Sequence, residues 1–145
     1  MSTTPTRITH LVGHAPWQGE PGRTSEVFNP ATGEVTGFEI ELGNELCKRA
    51  ELDCTWVRND WDSIIPNLVS SNYDTIMAGM NINAERQAVI AFTQPYTPPT
   101  PSAYAALAAD VDVEGGIVAA QTSTIQAGYV AESGATLIEF PNPDQ

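Results

Sequence analysis

Arg86 sits in the setting of this chain that most invites chemistry. It stands just past a small turn, Ala78-Gly79-Met80-Asn81-Ile82-Asn83, which itself follows a short apolar strand over 75–77. The spacing predicts a helix opening at Ala84-Glu85-Arg86, which puts the guanidinium one turn in. A strand that ends in Gly and Asn beside a helix start presents backbone N–H and C=O groups. The arginine adds a planar, charged fork to the same small volume. Together these groups can hold a carboxylate. The same residues also spell an ordinary strand–turn–helix corner with a solvated arginine, and the stretch alone does not choose between the two.

Other residue types that could do chemistry are fewer and less well placed. Cys47 and Cys54 flank Lys48-Arg49-Ala50-Glu51-Leu52-Asp53. A helix ending near Cys47 and a strand starting near Cys54 would reverse the chain and could bring the sulfurs within bonding reach. A disulfide closing so short a loop is worth about 2–3 kcal/mol and implies an oxidising compartment. Two free core thiols remain the other reading. His10 and His14 lack zinc-ligand spacing with the cysteines, so neither a metal nor a cofactor is expected. Ser63 and Ser123 have no His–Asp context that would make either a nucleophile. Glu39 and Glu41 read as a solvated helix face rather than a catalytic acid pair. His10 reads as structural, and Trp17 and Trp56 as core or rim packing.

The bulk numbers narrow the classes. A chain of 145 residues suits one domain, or one and a fraction. Eighteen acidic against six basic residues give a net charge of −12. That argues against nucleic acid, whose phosphates need basic patches, and against attachment to anionic membrane. No apolar run approaches the ~18–20 residues of a membrane span. Met1-Ser2-Thr3-Thr4-Pro5-Thr6 has neither a charged n-region nor an apolar h-region, so no signal peptide is read there.

The elements that must position these residues alternate. Strands are expected over 8–12, 53–58 and 75–77, with a long irregular connection over 18–36 that could turn back through Asn29-Pro30-Ala31-Thr32-Gly33. A helix is expected over 40–50, with Ile40, Leu42, Leu46, Cys47 and Ala50 on its apolar face. A second helix starts near Asp62, its candidate N-cap, with Ile64, Ile65, Leu68 and Val69 facing the core and Pro66 in the tolerant first turn. A third covers 84–90 and leads to Phe92-Thr93-Gln94-Pro95-Tyr96. Thr97-Pro98-Pro99-Thr100-Pro101 is the strongest linker signal, and a lobe boundary belongs at 98–101. Beyond it, strands are expected over 102–109, 117–120 and 136–140, with a helix from about 124 to 133. Strands alternating with helices give an α/β fold with a mainly parallel sheet. The last βαβ unit is too small to be a stable domain alone.

Four segments now fall in one order: Gly37-Phe38-Glu39-Ile40-Glu41-Leu42 with Glu45-Leu46-Cys47-Lys48-Arg49; Trp61-Asp62-Ser63-Ile64-Ile65-Pro66-Asn67-Leu68; the run from Tyr73-Asp74-Thr75 to Ala84-Glu85-Arg86; and Ile90-Ala91-Phe92-Thr93-Gln94-Pro95-Tyr96. Their order and spacing resemble the polar amino-acid-binding proteins of ABC importers, the family 3 solute-binding proteins. The likeness is greatest to the branch that binds lysine, arginine, ornithine or histidine, strong over 37–108 and weaker elsewhere. That branch carries a disulfide at the Cys47/Cys54 spacing.

The resemblance implies a periplasmic-binding-protein-like type II fold. Lobe one would occupy 1–97, a hinge 98–101 and a partial second lobe 102–145. It implies a periplasmic location, capture of one polar or cationic amino acid between two lobes, and importer membrane subunits as partners. It gives Arg86 the ligand α-carboxylate and the Gly79 carbonyl the α-ammonium. Asn81 takes a position that contacts ammonium or carboxylate, with Ala78 in the same turn. Trp61 would pack on the ligand side chain, and Thr124 would offer its N–H and hydroxyl to the carboxylate. His14 falls where the family usually has Tyr or Phe, and Thr122 replaces a common Gly. The chain stops inside the second lobe, short of the acidic residue expected to grip the ammonium. A swapped or paired oligomer is therefore an expectation too. Two other classes share the fold: the ligand-sensing domain of a membrane receptor or kinase, and a cyclohexadienyl or arogenate dehydratase, for which no catalytic acid is evident here.

Overall fold

The computed structural model describes residues 6–11, 27–28, 32, 35–98 and 101–141. It divides into two compact units, the division falling between Ile90 and Ala91. Two residues of the predicted 98–101 linker, 99 and 100, lie outside the described residues, as does His14.

The first unit is built on a three-stranded parallel sheet. Strand β1 (Thr6–Leu11) lies between β4 (Cys54–Asn59) and β5 (Thr75–Ile76). The β1–β4 register runs from Thr6 opposite Cys54 to Leu11 opposite Asn59, and Ile8 and Thr9 pair with Thr75 and Ile76. Parallel strands need crossover connections, and helices supply them. A small antiparallel ribbon of β2 (Val27–Phe28) and β3 (Val35–Thr36) brackets the turn expected at 29–33.

Helix α1 (Phe38–Arg49) buries Ile40, Gly43 and Cys47, one stripe at helical spacing. Gly43 sits where the helix meets β4: a Cβ there would lie 2.5 Å from Trp56 Cη2 and 3.1 Å from Met77 Sδ. The missing side chain leaves room for the indole against the helix, and Trp56 Nε1 donates to Asn44 Oδ1 at 2.8 Å. Trp56 is thus a packing residue, as the sequence suggests. Leu46 is not on the buried stripe; it is half-exposed. Acidic Glu39 and Glu41 in the first turn and basic Lys48 and Arg49 in the last complement the helix dipole. The helix ends with Glu51 in the left-handed region at φ 54°, where the Leu52 N–H reaches Cys47 O and the Glu51 N–H reaches Lys48 O. That reversal carries the chain into β4, and the Cys47–Cys54 disulfide closes it with the Cα atoms 6.2 Å apart.

After β4 the chain makes a 3-10 turn (Trp61–Ser63) and then α2 (Ile64–Val69). Asp62 is therefore inside the turn and not an N-cap; Asp60 holds the extended position before it. Pro66 does fall in the first turn of α2. Ile64 is buried, and its carbonyl accepts the hydroxyl of buried Tyr73. Val69, expected in the core, is exposed.

The second unit centres on a parallel pair, β6 (Ile117–Gln121) and β7 (Thr136–Phe140), joined by α4 (Ile125–Glu132). Ala127 and Val130 are the buried positions of α4. Asp112 Oδ1 accepts the Glu114 and Gly115 N–H groups and shapes the turn before β6. The strand expected over 102–109 does not form: those residues are exposed and unassigned to any sheet. Residues 92–96 are likewise outside any strand.

Candidate ligand-binding site

The corner around Arg86 is fastened at several points. Helix α3 covers only Ala84–Gln87, shorter than expected, and Asn83 is its N-cap. Asn83 Oδ1 accepts the Arg86 N–H at 2.8 Å, and Arg86 Nη1 donates to the Asn81 carbonyl at 2.9 Å. The arginine therefore grips its own preceding turn from both the backbone and the side chain. Its Cζ lies 5.4 Å from the centre of the Trp61 ring, within cation–π range. Arg86 is the buried charged residue of the described set, 9% exposed. Burial pulls its pKa below the ordinary arginine value, and the charge of neighbouring Glu85 acts in the opposite sense. Guanidinium stays protonated regardless, so the buried charge is a standing attraction for an anion.

The turn that carries Trp61 is flanked by a ladder of amides. Asn72 Nδ2 donates to Asn67 Oδ1 at 2.9 Å, and Asn67 Nδ2 to Asn59 Oδ1 at 2.7 Å. Asn59 Nδ2 in turn donates to the Asp60 carbonyl and to Ser63 Oγ. The ladder ties the end of β4 to α2 across the turn that carries the indole.

Gly79 takes the left-handed conformation, φ 54°, open to glycine and costly for most residues. Its N–H donates to Glu39 Oε1 at 2.7 Å. Glu39 thus does not simply line a solvated helix face; it crosses from α1 to the turn after β5. Among the expected site residues, Arg86, Asn81 and Trp61 come together here, with Ala78 and Gly79 in the same turn.

Thr124 belongs to the second unit. Its Oγ1 accepts the Ala127 N–H at 3.1 Å and donates to the Gln121 carbonyl at 2.7 Å, so the hydroxyl works as the N-cap of α4. Asn83 and the Asn59–Asn67–Asn72 ladder are not singled out from sequence, and Glu39 is read there only as a solvated helix face. Asn83 ahead of Ala84-Glu85-Arg86 is a readable cap signal; the other contacts join residues too far apart for a local pattern. Among the described residues no group of three or more His, Cys, Asp or Glu is arranged to hold a metal ion.

Residues 24–127 match the sequence profile of the bacterial extracellular solute-binding proteins, family 3. The chain belongs to that family. The Rhizobium meliloti octopine-binding periplasmic protein is 42% identical over 83 residues, which is 57% of this chain and 25% of that protein. The Escherichia coli K12 lysine/arginine/ornithine-binding periplasmic protein is 46% identical over 63 residues, 43% of this chain and 24% of that protein. A solved periplasmic binding protein of the His/Glu/Gln/Arg/opine family from Silicibacter pomeroyi, in complex with lysine, superposes with a TM-score of 0.84 at 59% identity. It matches 96% of this chain and 59% of its own. The family and the α/β binding-protein fold read from the four segments are thereby borne out, and the relatives matched include members of the lysine/arginine/ornithine/histidine branch. The matches span about a quarter of the curated relatives and under two thirds of the solved one.

Proposed function

We propose that this protein is the amino-acid-capturing component of a periplasmic ABC importer and takes a polar or cationic L-amino acid, with lysine the first candidate. The observation that carries the reading is Arg86. It is a buried arginine whose side chain donates to the Asn81 carbonyl, whose backbone N–H donates to Asn83 Oδ1, and whose Cζ lies 5.4 Å from the centre of the Trp61 ring. A planar fork oriented in this way lowers the ordering cost of meeting a carboxylate. Gly79 and Ala78 supply backbone acceptors for the α-ammonium, and Trp61 an aromatic face for an aliphatic or cationic side chain. The names of the relatives and the lysine complex of the solved neighbour support this ligand class.

Capture would proceed by a population shift toward a ligand-closed form, and that form would be the one presented to the membrane subunits. The ligand leaves unchanged; no catalytic step is assigned.

Calorimetric titration with L-lysine and with cadaverine, the same molecule without its α-carboxylate, tests the reading. L-Lysine should bind and cadaverine should not. Equal binding of both, or binding of neither, would dismiss Arg86 as a carboxylate clamp for lysine.

A further inference from the structure

The Glu39 contact reaches further than its place on a helix face suggests. Glu39 lies in the first turn of α1, and its Oε1 accepts the Gly79 N–H at 2.7 Å from an element 40 residues away in sequence. Gly79 is held there at φ 54°. A Cβ on Gly79 would come within 3.7 Å of the same carboxylate oxygen, so glutamate and turn are in close register. The described residues contain no cis peptide, and in a trans peptide the C=O points opposite to the N–H. The N–H facing Glu39 belongs to the Ala78–Gly79 peptide. Its carbonyl, that of Ala78, therefore points to the side of the turn away from α1.

From this we propose that Glu39 is a positioning and specificity-determining residue for the ligand α-ammonium, acting through the Ala78–Gly79 peptide. The proposal rests on the amino-acid-binding reading above. Its chemistry has two parts. The hydrogen bond fixes the left-handed turn, and so the direction in which the Ala78 and Gly79 carbonyls are presented. The carboxylate charge also polarises the peptide it accepts from, making the Ala78 oxygen a stronger acceptor, and it leaves a negative charge about one peptide unit from the bound cation. A neutral acceptor would do the first and not the second.

Glu39→Gln separates the parts, because the amide oxygen can still accept from Gly79 while the charge is gone. The experiment is a titration of wild type and Glu39→Gln with L-lysine and with 6-aminohexanoate, which is lysine without its α-ammonium. Gly79 amide hydrogen exchange is followed in the same two proteins and in Glu39→Ala. The expected result is a loss of about 3- to 10-fold in L-lysine affinity for Glu39→Gln, from a partly screened charge–charge attraction, with 6-aminohexanoate affinity unchanged. Gly79 exchange should be slow in wild type and Glu39→Gln and fast in Glu39→Ala. An equal loss for both ligands, or no loss for L-lysine, overturns the proposal while leaving the binding reading intact. Wild type that binds neither ligand overturns the binding reading and this proposal with it. Unchanged Gly79 exchange in Glu39→Ala refutes the clamp itself, whatever the ligands do.

Discussion

Replacing Asn83 with alanine removes the side-chain acceptor that starts α3 and should loosen the carboxylate clamp without touching the guanidinium. The helix it caps has four residues, Ala84–Gln87. Isolated helices below ~12–15 residues are marginal, so α3 depends on its cap, on the Arg86–Asn81 bond and on local packing. The Asn83 Oδ1 to Arg86 N–H bond is 2.8 Å, well formed, and an N-cap of this kind contributes about 1 kcal/mol. If the turn is near balance once uncapped, the same energy lowers the fraction of protein with Arg86 in place. One kcal/mol corresponds to about a fivefold change in an equilibrium constant. Apparent affinity falls in proportion to the competent fraction. Asn83→Ala should therefore bind L-lysine about twofold more weakly by calorimetry, as the competent fraction falls from about five sixths to about one half, with the Arg86 amide exchanging faster and global stability falling by no more than about 1 kcal/mol. Asn83→Ser, which restores a capping oxygen, should recover most of the loss. The reasoning fails if Asn83→Ala binds lysine as wild type does, or if serine is no better than alanine.

Two further outcomes follow from the packing of the first unit. Gly43→Ala places a Cβ 2.5 Å from Trp56 Cη2, too close to stand without a shift of helix or indole. The gain in helix propensity is smaller than this overpacking, so urea denaturation should show a net loss of about 1–2 kcal/mol. Reducing the Cys47–Cys54 disulfide should lower stability by about 2.5 kcal/mol in the loop-entropy account, read as a fall in the denaturation midpoint with and without reductant. A midpoint that does not move would mean that the reversal at Glu51 holds the loop closed by itself.

Much of the positioning framework was legible from residue pattern. The burial of Ile40 and Cys47 and the parallel alternation of strands and helices follow from local chemistry, whereas the Thr124 hydroxyl, expected on a ligand carboxylate, is taken up by the cap of α4. The misreadings share a physical cause. Periodicity assigned Leu46 and Val69 to buried faces, yet burial depends on what lies opposite, and both are exposed. The small residues over 102–109 fit a strand by composition, but a strand exists only with a hydrogen-bonded neighbour. Asp62 has the chemistry of a cap, but the chain tightens into a 3-10 turn before α2 and puts it inside. The site shows the same limit more sharply. Arg86, Gly79 and Asn81 lie in one short segment and could be read together. Glu39 looked like a wet helix face because nothing in a helical pattern reports a partner 40 residues on. The amide ladder that ties β4 to α2 is likewise spread over Asn59, Asn67 and Asn72, separate in sequence and joined only in the fold.

The central claim is that Arg86 holds the carboxylate of an amino acid, and calorimetric titration of L-lysine into Arg86→Ala tests it most directly. A bidentate pair of charge-assisted hydrogen bonds, at about 1.5–3 kcal/mol each, predicts a loss of at least about a hundredfold. Thermal unfolding of the unliganded variant would show that the protein still folds. An affinity for lysine within a few-fold of wild type, in a folded Arg86→Ala protein, would contradict the account.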